Sequence, residues 1–517
     1  MLRFAGAVSK CFVLLLSLFF LLLQNLPAQS IRIPWSSYSH DAQHDAIAPV
    51  PSQSINRILW QTPVDLAPHY SGSELLIHYG SPIITRANTV IIPVKTGTNG
   101  GFEVEALTGA TGATNWTAST DYILPPLAAG TWIPGYSPAL TPNNRLYFAG
   151  AGGTIYYCDT PDQAGSSPVI GQIAFYGLAN YLANTNAYQT NVFINTPITS
   201  DRYGDIFFGF MVTGPNPLNL QGGIARIDYN GTGIWLAASN IVGKTTVTNI
   251  ALNCSPALSN DHKTLYVAAT VGISGAGYLA ALDSQTLTPL HNVLLKDVKS
   301  PGTSANVNDN GTASPTVGPD GDVYYGVLES PSGSNHSRGW LLHFNSTLTQ
   351  LKLPGAFGWD DTASVVPATM VPSYHGGSPY LLMTKYNNYA GFGGGNGINK
   401  IAVLDPQNSE IDPISGSTVM NEVLTIAGPT PDPEYTNSYP GAVREWCINS
   451  AAVDPFTKSI LANNEDGKLY RWDMTSSTLT QTNVLTTGIG EAYTPTIIGV
   501  NGVVYAINNA KLFAIGQ

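Results

Sequence analysis

Hydrophobic positions along this chain come in short runs rather than at helical spacing. Val90–Ile91–Ile92–Pro93–Val94 and Leu265–Tyr266–Val267–Ala268–Ala269 are runs of this kind. Each is apolar on both faces, which suits a strand in a sheet packed between neighbouring sheets. The runs recur inside a repeating unit. It opens with a small residue and usually Pro, continues into a short apolar strand and a polar turn, and then gives strands rich in Tyr, Phe and Val. The openings are Ser81–Pro82, Ser137–Pro138, Thr196–Pro197, Ser255–Pro256, Ser314–Pro315, Val366–Pro367, Ser450–Ala451 and Thr494–Pro495. The first five lie 56 to 59 residues apart. The wide interval before Ser450 holds residues 406–446, a Pro-, Thr- and Asn-rich stretch expected as an inserted loop.

The turns inside the units agree with one another. Arg86–Ala87–Asn88, Pro142–Asn143–Asn144, Ser200 to Gly204, Asn260–Asp261–His262, Pro319–Asp320–Gly321 and Val500–Asn501–Gly502 sit at similar offsets. Asn, Asp and Gly tolerate the positive φ of tight hairpins. A unit of three or four strands cannot bury both faces alone, but eight arranged in a circle can. The expectation is one all-β, eight-bladed β-propeller over residues 55–517, with a seven-bladed ring as the alternative. The last unit lacks an outer strand. Ile55–Asn56–Arg57–Ile58–Leu59–Trp60–Gln61 is predicted to supply it, so that the N-terminal strand closes the C-terminal blade.

Composition supports this reading. Charged residues are 11% of the 517, apolar residues 43%, and Gly (52), Pro (36) and Tyr (26) are abundant. That excludes a disordered chain and a helical bundle. At the N-terminus, Arg3 and Lys10 flank and precede an apolar run over residues 11–23, shorter than the ~20 residues a spanning helix needs. Residues 1–28 read as a signal peptide cleaved after Ala28, residues 29–54 as a lead-in, and the protein as exported with no later membrane span. Cleavage removes two cations and no acid, taking the formal net charge from −11 to −13. Such a surface repels phosphate backbones, so nucleic acid is not an expected partner. Without Cys11, the cysteines are Cys158, Cys254 and Cys447, an odd number that cannot all pair within a monomer.

Ala106–Leu107–Thr108–Gly109–Ala110–Thr111–Gly112–Ala113–Thr114–Asn115–Trp116 resembles the repeat of pyrroloquinoline-quinone-type, or quinoprotein-like, propellers, Ala-x-Asp-x-x-Thr-Gly-x-x-x-Trp, with Thr108 in place of Asp. Ala281 to Thr286, Ile227–Asp228 to Trp235, Val403–Leu404–Asp405 and Trp472–Asp473 are partial matches. In that family the Trp packs on the neighbouring blade. The family includes quinone- and calcium-dependent dehydrogenases and also binding or assembly propellers without cofactor. The adjacent Cys-Cys pair of many of the dehydrogenases is absent here. The resemblance therefore implies a cofactor-free member, with pyrroloquinoline quinone plus calcium as the alternative.

Candidate ligand-binding residues concentrate in the C-terminal half. Asp360 and Asp361 follow Trp359. Lys385 and Asn387 precede the Gly391–Gly397 loop, which lacks the Gly-Lys-Ser/Thr of a phosphate loop. Glu445 and Trp446 lie just before an opening, where a propeller chain nears its axis. Glu465 and Asp466 stand in a turn that lacks the alternating donors of a calcium loop. Glu491 occupies a position comparable to Glu445, so the two carboxylates are expected to face one funnel. No catalytic set and no metal-ligand set is assigned, because Gly-x-Ser-x-Gly, His-Glu-x-x-His and Cys-x-x-Cys are all missing. The expected function is a monomeric binding or scaffold module for a protein or glycan partner. The alternatives are the quinone-dependent dehydrogenase and a propeller glycosidase or lyase, which needs carboxylates roughly 5–10 Å apart across one bond.

Overall fold

The computed structural model describes residues 32–70, 72, 75, 77–126, 136–165, 168–272, 275–307, 313–487 and 493–517. The signal peptide expected at 1–28 and the candidate Glu491 lie outside them. From Pro34 onward the chain forms one compact unit. It contains eight antiparallel sheets, one per repeat, and is an eight-bladed propeller. The blades span residues 83–120, 139–174, 192–237, 249–294, 316–344, 364–427, 452–484 and 497–516, numbered here blades 1 to 8. Blade 5 has three regular strands, and residues 351–355 run irregularly along its outer edge. Three short helices, Leu178–Ala183, Thr185–Asn191 and Ala238–Val242, sit in the connections around blade 3. None of the described helices is long and apolar enough to cross a membrane.

The ring closes as expected, two residues later than predicted. Strand Arg57–Pro63 pairs antiparallel with Lys511–Gly516 and becomes the outer strand of blade 8, with a bulge between Ile58 and Trp60. The predicted turns carry the predicted strain relief. Asn88, Asn144, Gly204, His262, Gly321 and Gly502 all have φ between 60° and 94°.

The repeat openings acquire a physical role. The Ser255 amide donates to the Ser314 hydroxyl (2.9 Å), and the Ser314 amide to the Thr362 hydroxyl (2.9 Å). The Ser81 amide likewise donates to Ser137 (2.8 Å). At Ser137, Ser314 and Thr362 a small hydroxyl residue thus satisfies a buried amide of the preceding blade. By this criterion blade 6 opens at Thr362–Ala363. Val366–Pro367, read from the sequence as the opening, is the end of the inner strand Ser364–Pro367. The expected 406–446 loop is also divided. Residues 406–411 and 418–427 belong to the long paired strands Lys400–Ile411 and Thr418–Ala427, with register shifts that absorb the Pro and Asn residues. Residues 428–446 form the turn-rich remainder.

The lead-in does more than connect. Residues 35–48 fill the hub of the ring against the innermost strands. Trp35 exchanges hydrogen bonds with Ile84. Amides of Leu140, Leu258, Val317, Val365 and Val453 donate to the carbonyls of Ser36, Ala42, Gln43, Asp45 and Ala46. Six blades are engaged. In an extended strand successive carbonyls alternate sides, so a chain turning inside a ring must break that alternation. It does so with positive φ at Ser39 (51°), His40 (88°), His44 (60°) and Ala46 (58°). Residues 52–55 then run out to the rim beside blades 7 and 8, with the Ser52 amide on Asp454 (2.8 Å) and the Gln53 amide on the Gly502 carbonyl (2.7 Å).

Candidate functional site

The segments that precede the inner strands converge on the axis, and those of blades 1, 6, 7 and 8 bring together a buried polar group. Lys385 is the penultimate residue of strand Tyr380–Tyr386, with its side chain only 1% exposed. Its ammonium stands 3.5 Å from the Asp360 carboxylate, and its amide donates to Asp361 (3.1 Å). Asp360 is held in a left-handed conformation (φ 57°), a strained choice for a residue other than Gly. The Lys385 ammonium also lies 5.5 Å from the Tyr493 ring and 6.0 Å from Phe357. His78, from the approach to blade 1, packs on Tyr493 with ring centroids 4.4 Å apart.

Burial sets the protonation states. It pushes the Asp361 carboxyl up to about 8 against the pull of Lys385. It pushes His78 down to about 3, so the imidazole is neutral. Burial also opposes the charge on Lys385, but Asp360 and Asp361 outweigh it and its pKa is raised. The centre therefore places Lys385 against Asp360, beside an Asp361 carboxyl that burial keeps protonated up to about 8.

A second set adjoins it. The Glu445 amide donates to Glu465 (2.9 Å), and the Cys447 thiol lies 3.6 Å from Glu465 and 3.9 Å from Glu445. Burial raises the Glu465 pKa, while the Glu445 amide and the Arg444 charge 3.7 Å away act against it. The Lys385 ammonium feels Cys447 and Glu445 as well as its own aspartates. Ligand-capable atoms of Glu445, Cys447 and Glu465 lie within 4.8 Å of one another, as do those of His40, Asp41 and Asp45 in the hub segment. These are the sets among the described residues with the geometry to hold a metal ion.

The other candidates have structural employment. Asn387 clamps the backbone of Trp446, accepting from its amide (3.3 Å) and donating to its carbonyl (3.4 Å). Trp446 is fully buried between blades 6 and 7, with its ring edge on Tyr470 at 5.6 Å. Asp466 points into its own hairpin and accepts from Thr430, Lys468 and Tyr470. Sequence reasoning missed His78 and Tyr493, which come from opposite ends of the chain and bear no motif. It also missed Tyr38, whose hydroxyl reaches from the hub segment to Thr362 and Asn449 beside the axial group. The three described cysteines are buried.

No protein-family model and no curated protein matches the sequence. Solved structures do match its fold. A europium-containing methanol dehydrogenase superposes with a TM-score of 0.59 at 10% identity, covering 94% of this chain and 99% of that one. The quinohemoprotein alcohol dehydrogenase of Comamonas testosteroni gives 0.55 at 10% identity, over 95% of this chain and 82% of its own. The quinohemoprotein alcohol dehydrogenase ADHIIG of Pseudomonas putida HK5 gives 0.51 at 10% identity, over 94% and 76%. The chain thus has the quinoprotein-like eight-bladed propeller fold.

Proposed function

We propose that this protein is an exported, non-enzymatic binding propeller that presents its loop-bearing surface to a protein or glycan partner. One observation carries the reading. The hub, where a propeller enzyme of this fold would admit cofactor and substrate, is occupied by the chain's own residues 35–48, and the axial polar side chains are buried against one another.

The residues do not fit pyrroloquinoline quinone. A planar, anionic tricycle needs an open slot and cationic partners. Here His78 already lies on Tyr493, Lys385 is faced by Asp360, and Asp361, Glu445 and Glu465 crowd the same neighbourhood. The Glu445–Cys447–Glu465 set suits calcium poorly, since calcium takes six to eight oxygens and this set offers a thiol with a guanidinium beside it. A glycosidase or lyase is disfavoured on similar grounds. Asp360 and Asp361 are 4% and 1% exposed.

Two measurements test the reading. Thermal melting of the mature protein should be unchanged by pyrroloquinoline quinone with calcium. A ligand at 100 times its Kd would add about 2.7 kcal/mol, so an upward shift requiring both additives would restore the dehydrogenase reading. Alanine replacement of Pro433, Glu434, Asn437, Ser438 and Pro440, exposed residues of the 428–446 loop, should weaken partner capture without unfolding the ring, and unchanged capture counts against that surface.

A further inference from the structure

The tryptophans that lock blades together share one register. Trp60 stands opposite Ala514, Ala514 opposite Tyr505, and Tyr505 opposite Ile497, the first residue of its inner strand. Trp116, Ala106, Ile91 and Ile83 form the same row in blade 1. Both indoles donate to a carbonyl of the next blade, Trp60 to Gly109 (2.9 Å) and Trp116 to Pro161 (2.8 Å). In blade 3 the equivalent row runs Thr199, Phe207, Arg226, Ile234. Trp235 comes one residue later, in the row of Phe208 and Ala225. Because side chains alternate along a strand, that single step turns Trp235 to the opposite face. It looks back toward blade 2 instead of locking onto blade 4.

There it lines a groove of about 640 Å³ with Gln172, Phe175, Tyr176, Asn180 and Thr232. That volume lies in the range of small-ligand sites, roughly 300–1,000 Å³. The aromatic floor is fixed by packing. Trp235 meets Phe210 edge-on at 6.0 Å, Phe175 lies 4.4 Å from Phe210, and Tyr176 stacks on Tyr188 at 4.5 Å. The amides are oriented too, with Asn180 donating to the Tyr176 carbonyl (2.7 Å) and Gln172 to the Thr154 hydroxyl (3.1 Å). Gly233 is required for this approach, since a Cβ there would fall 2.0 Å from the Phe175 carbonyl oxygen. Among the described residues, no charged side chain lines the groove. Phosphates, carboxylates and metal ions therefore have no counter-charge in it. A sugar ring matches it, with its C–H face on the indole and its hydroxyls on the amides and the threonine.

We propose that the groove between the outer strands of blades 2 and 3 binds a neutral carbohydrate chain, with Trp235 as the platform. The inference rests on the reading of the ring as a binding module and assigns the glycan a place away from the hub. The carbohydrate could be an external polysaccharide or a glycan carried by Asn230, which heads the triplet Asn230–Gly231–Thr232 at the groove.

The test is affinity electrophoresis of the mature protein, made in a host that does not glycosylate, through gels containing laminarin, xylan, glucomannan, starch or the anionic alginate. Retardation by at least one neutral gel is expected. Trp235→Ala should weaken it at least tenfold, and Trp235→Tyr should restore part of it. No retardation by any neutral gel, retardation by alginate alone, or full retardation of Trp235→Ala overturns the proposal. If Trp235→Ala does not fold, Asn180→Ala and Thr232→Ala carry the test, since both side chains are exposed; full retardation of both is then the overturning result. Protein made in a glycosylating host separates the sources. Retardation that disappears once Asn230 is modified marks the chain's own glycan as occupant, and retardation that persists marks an external one. Alanine replacement of Pro433, Glu434, Asn437, Ser438 and Pro440 should leave retardation intact, so loss of glycan binding alone removes this proposal while leaving capture by the loop surface to stand or fall separately.

Discussion

Single residues at the axis define what pH does to this protein. Asp361 keeps its proton in the native chain up to about 8 because it is buried, whereas an unfolded aspartate loses it near 3.9. Its contribution to stability is therefore complete at low pH and declines as pH rises from about 4 to about 8. His78 works the other way. Burial holds it neutral down to about 3, so its contribution is complete above roughly 6.5 and declines as pH falls below that. Urea unfolding between pH 4 and 9 should show both slopes. Asp361→Asn should flatten the decline on the alkaline side, and His78→Gln the decline on the acid side; slopes that persist unchanged would refute the assignment. Neither behaviour was legible in the chain order. The aspartates announced themselves as a polar pair beside Trp359, but His78 and Tyr493 meet only because the ring brings blades 1 and 8 together. By contrast, the Ser and Thr of the repeat openings were legible as a pattern before their purpose was known. The structure explains the choice at Ser137 and Ser314, whose hydroxyls accept the Ser81 and Ser255 amides of the preceding blades.

At the scale of elements, short apolar runs and turn residues carried most of the information. Eight strand clusters, their turns and the strand that completes blade 8 follow from apolar runs punctuated by Asn, Asp and Gly. Trp60 extends that logic across a blade boundary, with its ring over Gly112 and its indole on Gly109. Trp60→Ala should cost about 3 kcal/mol, at the low end for a tryptophan truncation because the ring is only half-buried. Chemical denaturation would read this, and a loss below 1 kcal/mol would show that the strand closes the ring by backbone pairing alone. The hub segment escaped prediction for an equally physical reason. It binds the blades through its own carbonyls, which every residue possesses, so no side-chain pattern marks it. What it does need is left-handed backbone. Ala46→Gly should change stability by no more than about 1 kcal/mol, whereas Ala46→Val, a β-branched residue at φ 58° in a fully buried site, should cost more than about 2 kcal/mol. Comparable unfolding midpoints for the two variants would argue that the segment can leave the hub cheaply.

For the molecule as a whole, two latches hold the ring, one at the rim and one at the hub. A variant beginning at Ser52 keeps the rim latch, residues 57–63 on 511–516, and loses the other. Six inner strands then lose hydrogen-bond partners worth about 1 kcal/mol each, together with the buried rings of Trp35, Tyr38 and His44. The expected result is a stability loss of at least about 5 kcal/mol. Amide exchange should speed up at Leu140, Leu258, Val317, Val365 and Val453 while staying slow at Leu512 and Phe513. Exchange that remains slow at the five inner amides would mean the blades shield them without the segment.

The hub segment also fixes an order of events. Residues 35–48 precede every blade along the chain, yet their partners stretch from Ile84 to Val453, and Arg57–Pro63 pairs with Lys511–Gly516. Segments made before any blade thus complete their contacts only after most of the ring has been made. Such long sequence separations slow folding, and they leave the ring without its complete central pin until the inner strand of blade 7 has been made.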